Sequence, residues 1–395
     1  MISVEEAQRR VMAEVVAGDV EHVPLGDSLG RVLREEVVAA HDAPAADNSG
    51  MDGYAVRFDD VANAPVTLPV RGDIAAGHPS PTPLEPGTAL RIMTGAFVPD
   101  GADTVIQVEL TDGGTERVII EKALPRGANI RRRGEDMHAG DALLRAGIRI
   151  GPAEIALLAG AGRTRVAVGR RPTVAILSTG DELVEVGETP SPGKIVNSNG
   201  PLLAALVTEA GAIPQNLGIV RDTREATIAA FARAAECDFV ISSGGVSVGA
   251  YDFVKDALEA LGAESKFWRV SMKPGKPVVL SRLRDRVVFG LPGNPVSCFV
   301  SFHLFVAPAL RKAMGQETRL FPPAVRARLT APVRGAAERR VYARVHVAAQ
   351  EGELVATPLR SQSSGALTSM LDANGLAMIR EGAGEVEHVL LIGPV

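Results

Sequence analysis

Between residues 173 and 314 one pattern recurs: a short apolar run, a polar loop bearing glycine or proline, then a stretch of helical character. TVAIL (173–177) runs into STGDE (178–182), and NSNG (197–200) announces a helix at about 201–210. DFVIS (238–242) breaks into SGGVSVG (243–249) ahead of a helix at 253–261. Strands at 277–280 and 287–289 follow, the second leading through LPGNP (291–295) into a helix at 296–314. Unbroken apolar runs suit strands buried on both faces of a parallel sheet, where helices cover each side. The pattern predicts a doubly wound, three-layer α/β/α domain.

The flanks read differently. Ser3 with Glu6 three residues on has capping-box spacing, and Val4, Ala7, Val11, Val15 and Val16 follow at helical period. A helical or mixed stretch is expected over 25–38, and a further helix over 150–158. Residues 45–137 hold short β-branched segments at 64–70, 89–92, 104–108 and 117–121, bounded by turn residues, as in a small β domain. The expected organisation is multidomain α/β plus β. Residues 1–44 with 138–170 form a mixed, partly helical N-terminal domain, and 45–137 an inserted mostly-β domain. Residues 171–318 form the α/β domain, and 322–395, after the Phe321-Pro322-Pro323 linker, a small C-terminal β domain with alternation at 341–347.

Several classes of function are disfavoured. A net charge of -5 gives no broad basic surface, which argues against a nucleic-acid partner, although Arg131, Arg132 and Arg133 could hold a small anion. The two cysteines, Cys237 and Cys298, have neither disulfide nor zinc spacing. No apolar run approaches the ~20 residues of a membrane span, and the N-terminus lacks a signal pattern, so a cytoplasmic protein without a membrane partner is expected. The sequence has no GxxxxGK[ST] loop and no GxSxG, and its seven histidines do not cluster; His138 and His303 read as surface or packing residues.

Ligands of open α/β sheets bind at the carboxyl ends of the strands, so the polar loops there are the candidate site. Gly244 and Gly245 allow close backbone approach and an anion-binding nest. Asp181, Glu182 and Asp252 offer hard oxygens of the kind Mg²⁺ takes. Lys273 and Lys276, on a loop stiffened by Pro274 and Pro277, suit a phosphate or oxyanion. In the β region Asp52, Thr94 and Asp136 sit in polar turns, where each alone reads as a turn residue bonding its own backbone.

Taken together, NSGMDGYAV (48–56), IMTGA (92–96), RRRGEDM (131–137), STGDEL (178–183), SSGGVSVGAYD (242–252), MKPGKP (272–277) and GLPGNPVS (290–297) resemble the molybdopterin molybdenumtransferase family, which is similar to the E domain of gephyrin. SQSSG (361–365) and ANGL (373–376) fit the same resemblance. It implies that the α/β domain binds pterin and that molybdate is inserted into adenylylated molybdopterin with release of AMP. Catalytic roles then fall to Asp52, Thr94, Asp136, Glu182, Lys273 and Lys276. Substrate binding falls to Thr179, Gly180, Ser243, Gly244, Gly245, Ser247, Asp252, Pro292, Asn294, Pro295 and Ser297, and Mg²⁺ binding to Asp181, Glu182 and Asp252. The resemblance further implies a homodimer whose sites are shared, with Asp52, Thr94 and Asp136 completing the partner's site. A molybdopterin adenylyltransferase and molybdoenzyme apoproteins are the other expected partners. The alternatives are that adenylyltransferase itself, which needs only the α/β domain, and a non-catalytic gephyrin-like scaffold.

Overall fold

The computed structural model describes residues 1–246, 253–382 and 386–395. The chain forms two compact units. The larger comprises Met1–Glu35, Ala146–Ile155 and Arg165–Val395, and the smaller Glu36–Arg145 and Ala156–Thr164.

The larger unit is built on a six-stranded sheet in the order Ile213–Val220, Thr173–Thr179, Phe239–Ser243, Arg286–Leu291, Val279–Leu283, Glu264–Phe267. The first four strands run parallel. Side-chain alternation explains their unbroken apolar runs. Val174 and Ile176 enter one core with Val4, Ala7 and Val11 of the opening helix, Val4–Glu14, while Ala175 and Leu177 enter another with Phe231 and Val254. That opening helix is capped where the sequence places the cap, the Glu6 N–H donating to Ser3 Oγ at 3.1 Å. The Glu6 carboxylate does not close a capping box and pairs with Arg9 and Arg10 instead.

Three departures from the sequence reading have local causes. The strands expected at 277–280 and 287–289 form one antiparallel hairpin, Val279–Leu283 with Arg286–Leu291, so the sheet is mixed. Arg284 takes φ +54 in its two-residue turn, a conformation that matches hairpin twist. The unexpected edge strand Ile213–Val220 carries Pro214, which a central strand excludes, together with Asn216 and Gly218, which weaken the strand signal. Over 25–38 the only helix is the single turn Leu25–Asp27. Gly30 (φ +74) bends the chain, and the Gly30 and Leu33 amides bond to Ile150 and Ile148, so pairing replaces helix.

A second sheet orders Ala324–Val325, Val386–Leu391, Gly375–Ile379, Arg340–Gln350, Glu353–Pro358 and Arg328–Leu329. The short strand Met272–Lys273 joins it by pairing in parallel with Arg340–Gln350, Lys273 opposite Val341.

The Pro295–Ala313 segment is long and apolar enough to cross a membrane, but 83% of it is buried within the protein. Its middle, Phe302–Val306, is a π-helical turn. There His303, 8% exposed, meets the Phe299 ring edge-on at 4.6 Å, and its Nε2 has no partner among the described residues. Burial, and secondarily the Arg311 charge, push its pKa down to about 4. Because the folded value lies below the unfolded value of about 6.5, this histidine costs nothing above pH 6.5 and costs increasing stability between 6.5 and 4. Urea unfolding should show about 2 kcal/mol lost to this group between pH 7.5 and pH 5. His303→Phe should remove that part of the loss; an identical pH dependence in the variant would refute the assignment.

The smaller unit holds a five-stranded sheet ordered Thr104–Gln107, Gly53–Val56, Ala89–Ile92, Val66–Ile74, Arg117–Ile120. Tyr54 and Val56 face one core, Ala55 the other. Gly53 admits no side chain, since a Cβ there would lie 2.0 Å from the Ile106 carbonyl oxygen.

Candidate functional site

In the larger unit the chain leaves Thr173–Thr179 for Ile213–Val220 on one side, then returns to Phe239–Ser243 on the other. Loops that diverge at such a reversal leave the crevice where open α/β sheets take ligands. Thr179 ends the first of these strands with Gly180 after it, and Ser243 ends the third with Gly244 and Gly245 after it. Pro292, Asn294, Pro295 and Ser297 lie after Arg286–Leu291. Thr179 Oγ1 donates to the Ser243 carbonyl at 3.4 Å, and the Gly244 N–H donates to the Leu291 carbonyl at 3.0 Å. Gly244 (φ +90) and Gly245 (φ +65) make a turn closed to other residues. A Cβ on Gly244 would stand 2.6 Å from the Thr179 carbonyl oxygen. Ser247 and Asp252 lie outside the described residues.

One end of this edge is acidic. The Asp181 N–H donates to Asp222 Oδ2 at 3.1 Å, and the Asp222 N–H donates to Asp181 Oδ1 at 3.3 Å. Burial, with the charges of Asp181 and Glu182, pushes the Asp222 carboxyl above its ordinary pKa. Sequence reasoning missed Asp222. Its signal was a polar Arg221-Asp222-Thr223 stretch after an unrecognised edge strand, with Thr223 capping the Arg224–Ala234 helix. Lys194 Nζ donates to the Asp181 carbonyl.

The other end is basic. Met272–Pro277 and the loop holding Pro292, Asn294 and Ser297 line a cavity of about 660 Å³ with residues of the C-terminal sheet domain. Lys273, Lys276, Arg334 and Arg339 all border it, as do Gln362, Ser363 and Ser364. Pro295 does not line it and starts the following helix. The Ser361–Ser363 backbone is held from beneath by Arg344, wholly buried, whose Nη2 donates to the Ser361 and Ser363 carbonyls at 2.9 and 3.1 Å. Burial lowers the Arg344 pKa to about 10, so it stays charged at neutral pH. Arg334 and Arg339 were not among the sequence candidates; they belong to a loop without a motif. From Ile213–Val220 to Arg286–Leu291 is three strand spacings, roughly 14 Å.

No thiol competes for this site. Cys298 is fully buried and its pKa is raised to about 12 by desolvation, and Cys237 is also buried and free.

In the smaller unit, turns on the loops beside the sheet bring two candidates together. Asp52 Oδ1 accepts from the Thr94 N–H at 2.6 Å and from Thr94 Oγ1 at 2.9 Å. These bonds, with the nearby Arg91 charge, hold the exposed Asp52 carboxyl below its ordinary pKa. The local-turn reading of the two residues is therefore replaced by a contact across 42 positions. Asp136 is exposed on a separate loop; its backbone N–H bonds to the Ala43 carbonyl, and its side chain has no partner among the described residues. Two of the three arginines before it are engaged, Arg132 with Asp47 and Arg133 with Asp42, which leaves little of the expected anion cluster.

The sequence matches three family descriptions in order: the MoeA N-terminal region (domain I and II) over residues 2–162, a probable molybdopterin binding domain over 175–312, and the MoeA C-terminal region (domain IV) over 326–388. It is 41% identical to a molybdopterin molybdenumtransferase of Bacillus subtilis, covering 99% of this chain and 94% of the relative. It is 40% identical to molybdopterin molybdenumtransferase 2 of Mycobacterium tuberculosis, covering 98% and 97%. The crystal structure of a molybdopterin biosynthesis MoeA protein from Pyrococcus horikoshii matches over 100% of both chains, with TM-score 0.82 and 34% identity.

Proposed function

Because the chain belongs to the molybdopterin molybdenumtransferase family, we propose that it inserts molybdate into adenylylated molybdopterin, releasing AMP and the finished molybdenum cofactor. The observation that carries this reading is one strand edge with four cations at one end, carboxylates at the other, and a glycine turn between them. Molybdate is a tetrahedral dianion. Lys273, Lys276, Arg334 and Arg339 around a 660 Å³ cavity suit it, with room left for part of the pterin. The Gly244 N–H is taken up by the Leu291 carbonyl, which leaves the Gly245 N–H of this turn to meet a phosphate oxygen. The dithiolene of the substrate supplies the metal–sulfur bonds, in keeping with buried, unreactive cysteines.

Asp181, Glu182 and Asp222 fit Mg²⁺ in one manner. Among the described residues no three His, Cys, Asp or Glu side chains form a closed ligand group. Mg²⁺ instead is commonly held by one or two carboxylates together with substrate phosphates. The raised Asp222 pKa reflects burial first and then the like charges of Asp181 and Glu182, and a cation would relieve the second. When bound, Mg²⁺ would neutralise the phosphates as the anhydride opens. The chain's own residues hold the anions, orient the dithiolene toward molybdate and keep the site's charges fixed, so catalysis is chiefly positioning and electrostatics.

The reading includes a homodimer with shared sites. What supports it is the exposed Asp52–Thr94 pair in the smaller unit, flanked by Met51 (36% exposed) and Phe97 (42% exposed). A carboxylate kept ionised among exposed apolar groups suits a contact surface. The setting is the cytoplasm, the supplier a molybdopterin adenylyltransferase, and the recipients molybdoenzyme apoproteins.

The test is AMP release from adenylylated molybdopterin by the purified protein. Release that requires both molybdate and Mg²⁺ is expected. Consumption of ATP and free molybdopterin instead would identify an adenylyltransferase, and silence in both assays would leave a scaffold.

A further inference from the structure

One side chain at this edge has no part in the reading above. Asn199, from the NSNG stretch, opens the Asn199–Glu209 helix and is 8% exposed. Its Nδ2 donates to Ser243 Oγ and to the Gly293 carbonyl, each at 2.7 Å. A carbonyl oxygen can only accept, so the Gly293 contact fixes which way the amide faces. Both N–H bonds are thereby committed, one to the last residue of Phe239–Ser243 and one to the loop after Arg286–Leu291. The Gly244–Gly245 turn that follows Ser243 touches this loop: a Cβ on Gly293 would stand 3.6 Å from Gly244 Cα.

The other end of the amide is left over. Asn199 Oδ1 is buried and has no hydrogen-bond partner among the described residues. An unsatisfied buried acceptor is destabilising, so asparagine is a poor choice here for stability alone. It is a good choice for holding two loops at a set separation.

We propose that Asn199 is a positioning residue of the transfer reaction. It sets the distance between the Gly244–Gly245 turn and the 292–297 loop, and so the fit of the pterin substrate laid across them. The inference rests on the reading of this edge as the pterin site. Asn199 acts through Ser243 and Gly293, carrying no charge and exchanging no proton.

The experiment is steady-state AMP release, together with thermal unfolding, for Asn199→Ala, Asn199→Asp and Ser243→Ala. Asn199→Asp keeps the shape but removes both donors and sets a carboxylate against the Gly293 carbonyl. Both Asn199 variants should raise KM for adenylylated molybdopterin about tenfold and lower kcat/KM about a hundredfold. Ser243→Ala removes one arm of the clasp and should raise KM about threefold. A purely structural role would lower the melting temperature and the amount of active enzyme, with the KM of what survives unchanged. That outcome overturns the proposal. Should these two Asn199 variants fail to fold, Asn199→Ser decides, because its short side chain cannot reach both Ser243 and Gly293: a raised KM supports the clasp and a wild-type KM overturns it. A wild-type protein that releases no AMP overturns the functional reading itself, a result distinct from an active wild type matched by its variants.

Discussion

Mixing Asp52→Ala protein with Lys273→Ala protein should restore about one quarter of wild-type AMP release, although each variant alone loses at least about a hundredfold. Lys273 borders the basic cavity of the larger unit, where a bound oxyanion would depend on the cations around it. Asp52 belongs to the smaller unit, exposed and hydrogen-bonded to Thr94. If each site draws its larger unit from one subunit and its smaller unit from the other, a mixed dimer has one site with both lesions and one with neither. Free exchange of equal amounts makes half of all dimers mixed, so one site in four is intact. Mass spectrometry of the mixture should first establish that exchange has occurred. Recovery near one quarter supports the shared site; no recovery in an exchanged mixture excludes it.

Gly244→Ala should cost about a hundredfold or more in kcat/KM while removing only about 1–3 kcal/mol of stability. Two effects coincide at this residue. Its φ of +90 is one that L-residues rarely adopt, and its Cβ would meet the Thr179 backbone oxygen at 2.6 Å. Backbone cannot swing aside as a side-chain tip can, so the turn or the strand end must move. Gly262→Ala separates the two effects, because Gly262 has φ +73 but nothing within 4 Å of its Cβ position. That control should lose comparable stability and keep its activity. Equal loss of activity in the two variants would mean that general destabilisation, not displacement of the turn, explains the defect.

The central sheet was legible because burial on both faces leaves an unmistakable apolar run, as in TVAIL and DFVIS. The edge strand Ile213–Val220 was not, because one open side tolerates Pro214 and Gly218, and Asp222 at its end was lost with it. The loops of the site were legible for a different reason: Gly244, Lys273 and Pro292 sit in short, distinctive segments. Arg334 and Arg339 lack that signature and reach the cavity only through tertiary folding. The Asp52–Thr94 bond is of the same kind, since nothing local marks a contact between two turns so far apart in sequence.

The pairing of Met272–Lys273 with Arg340–Gln350 bears on how the protein is made. Lys273 takes its backbone register from Val341, nearly seventy positions later in the chain. Synthesis runs from the N-terminus, and early domains fold as they emerge. The α/β sheet is complete in sequence by Leu291, yet the loop carrying both lysines waits for a ladder that the ribosome has not yet delivered. A nascent chain ending at Leu291 therefore lacks one wall of the cavity, the one that Val333 to Ser364 supply later.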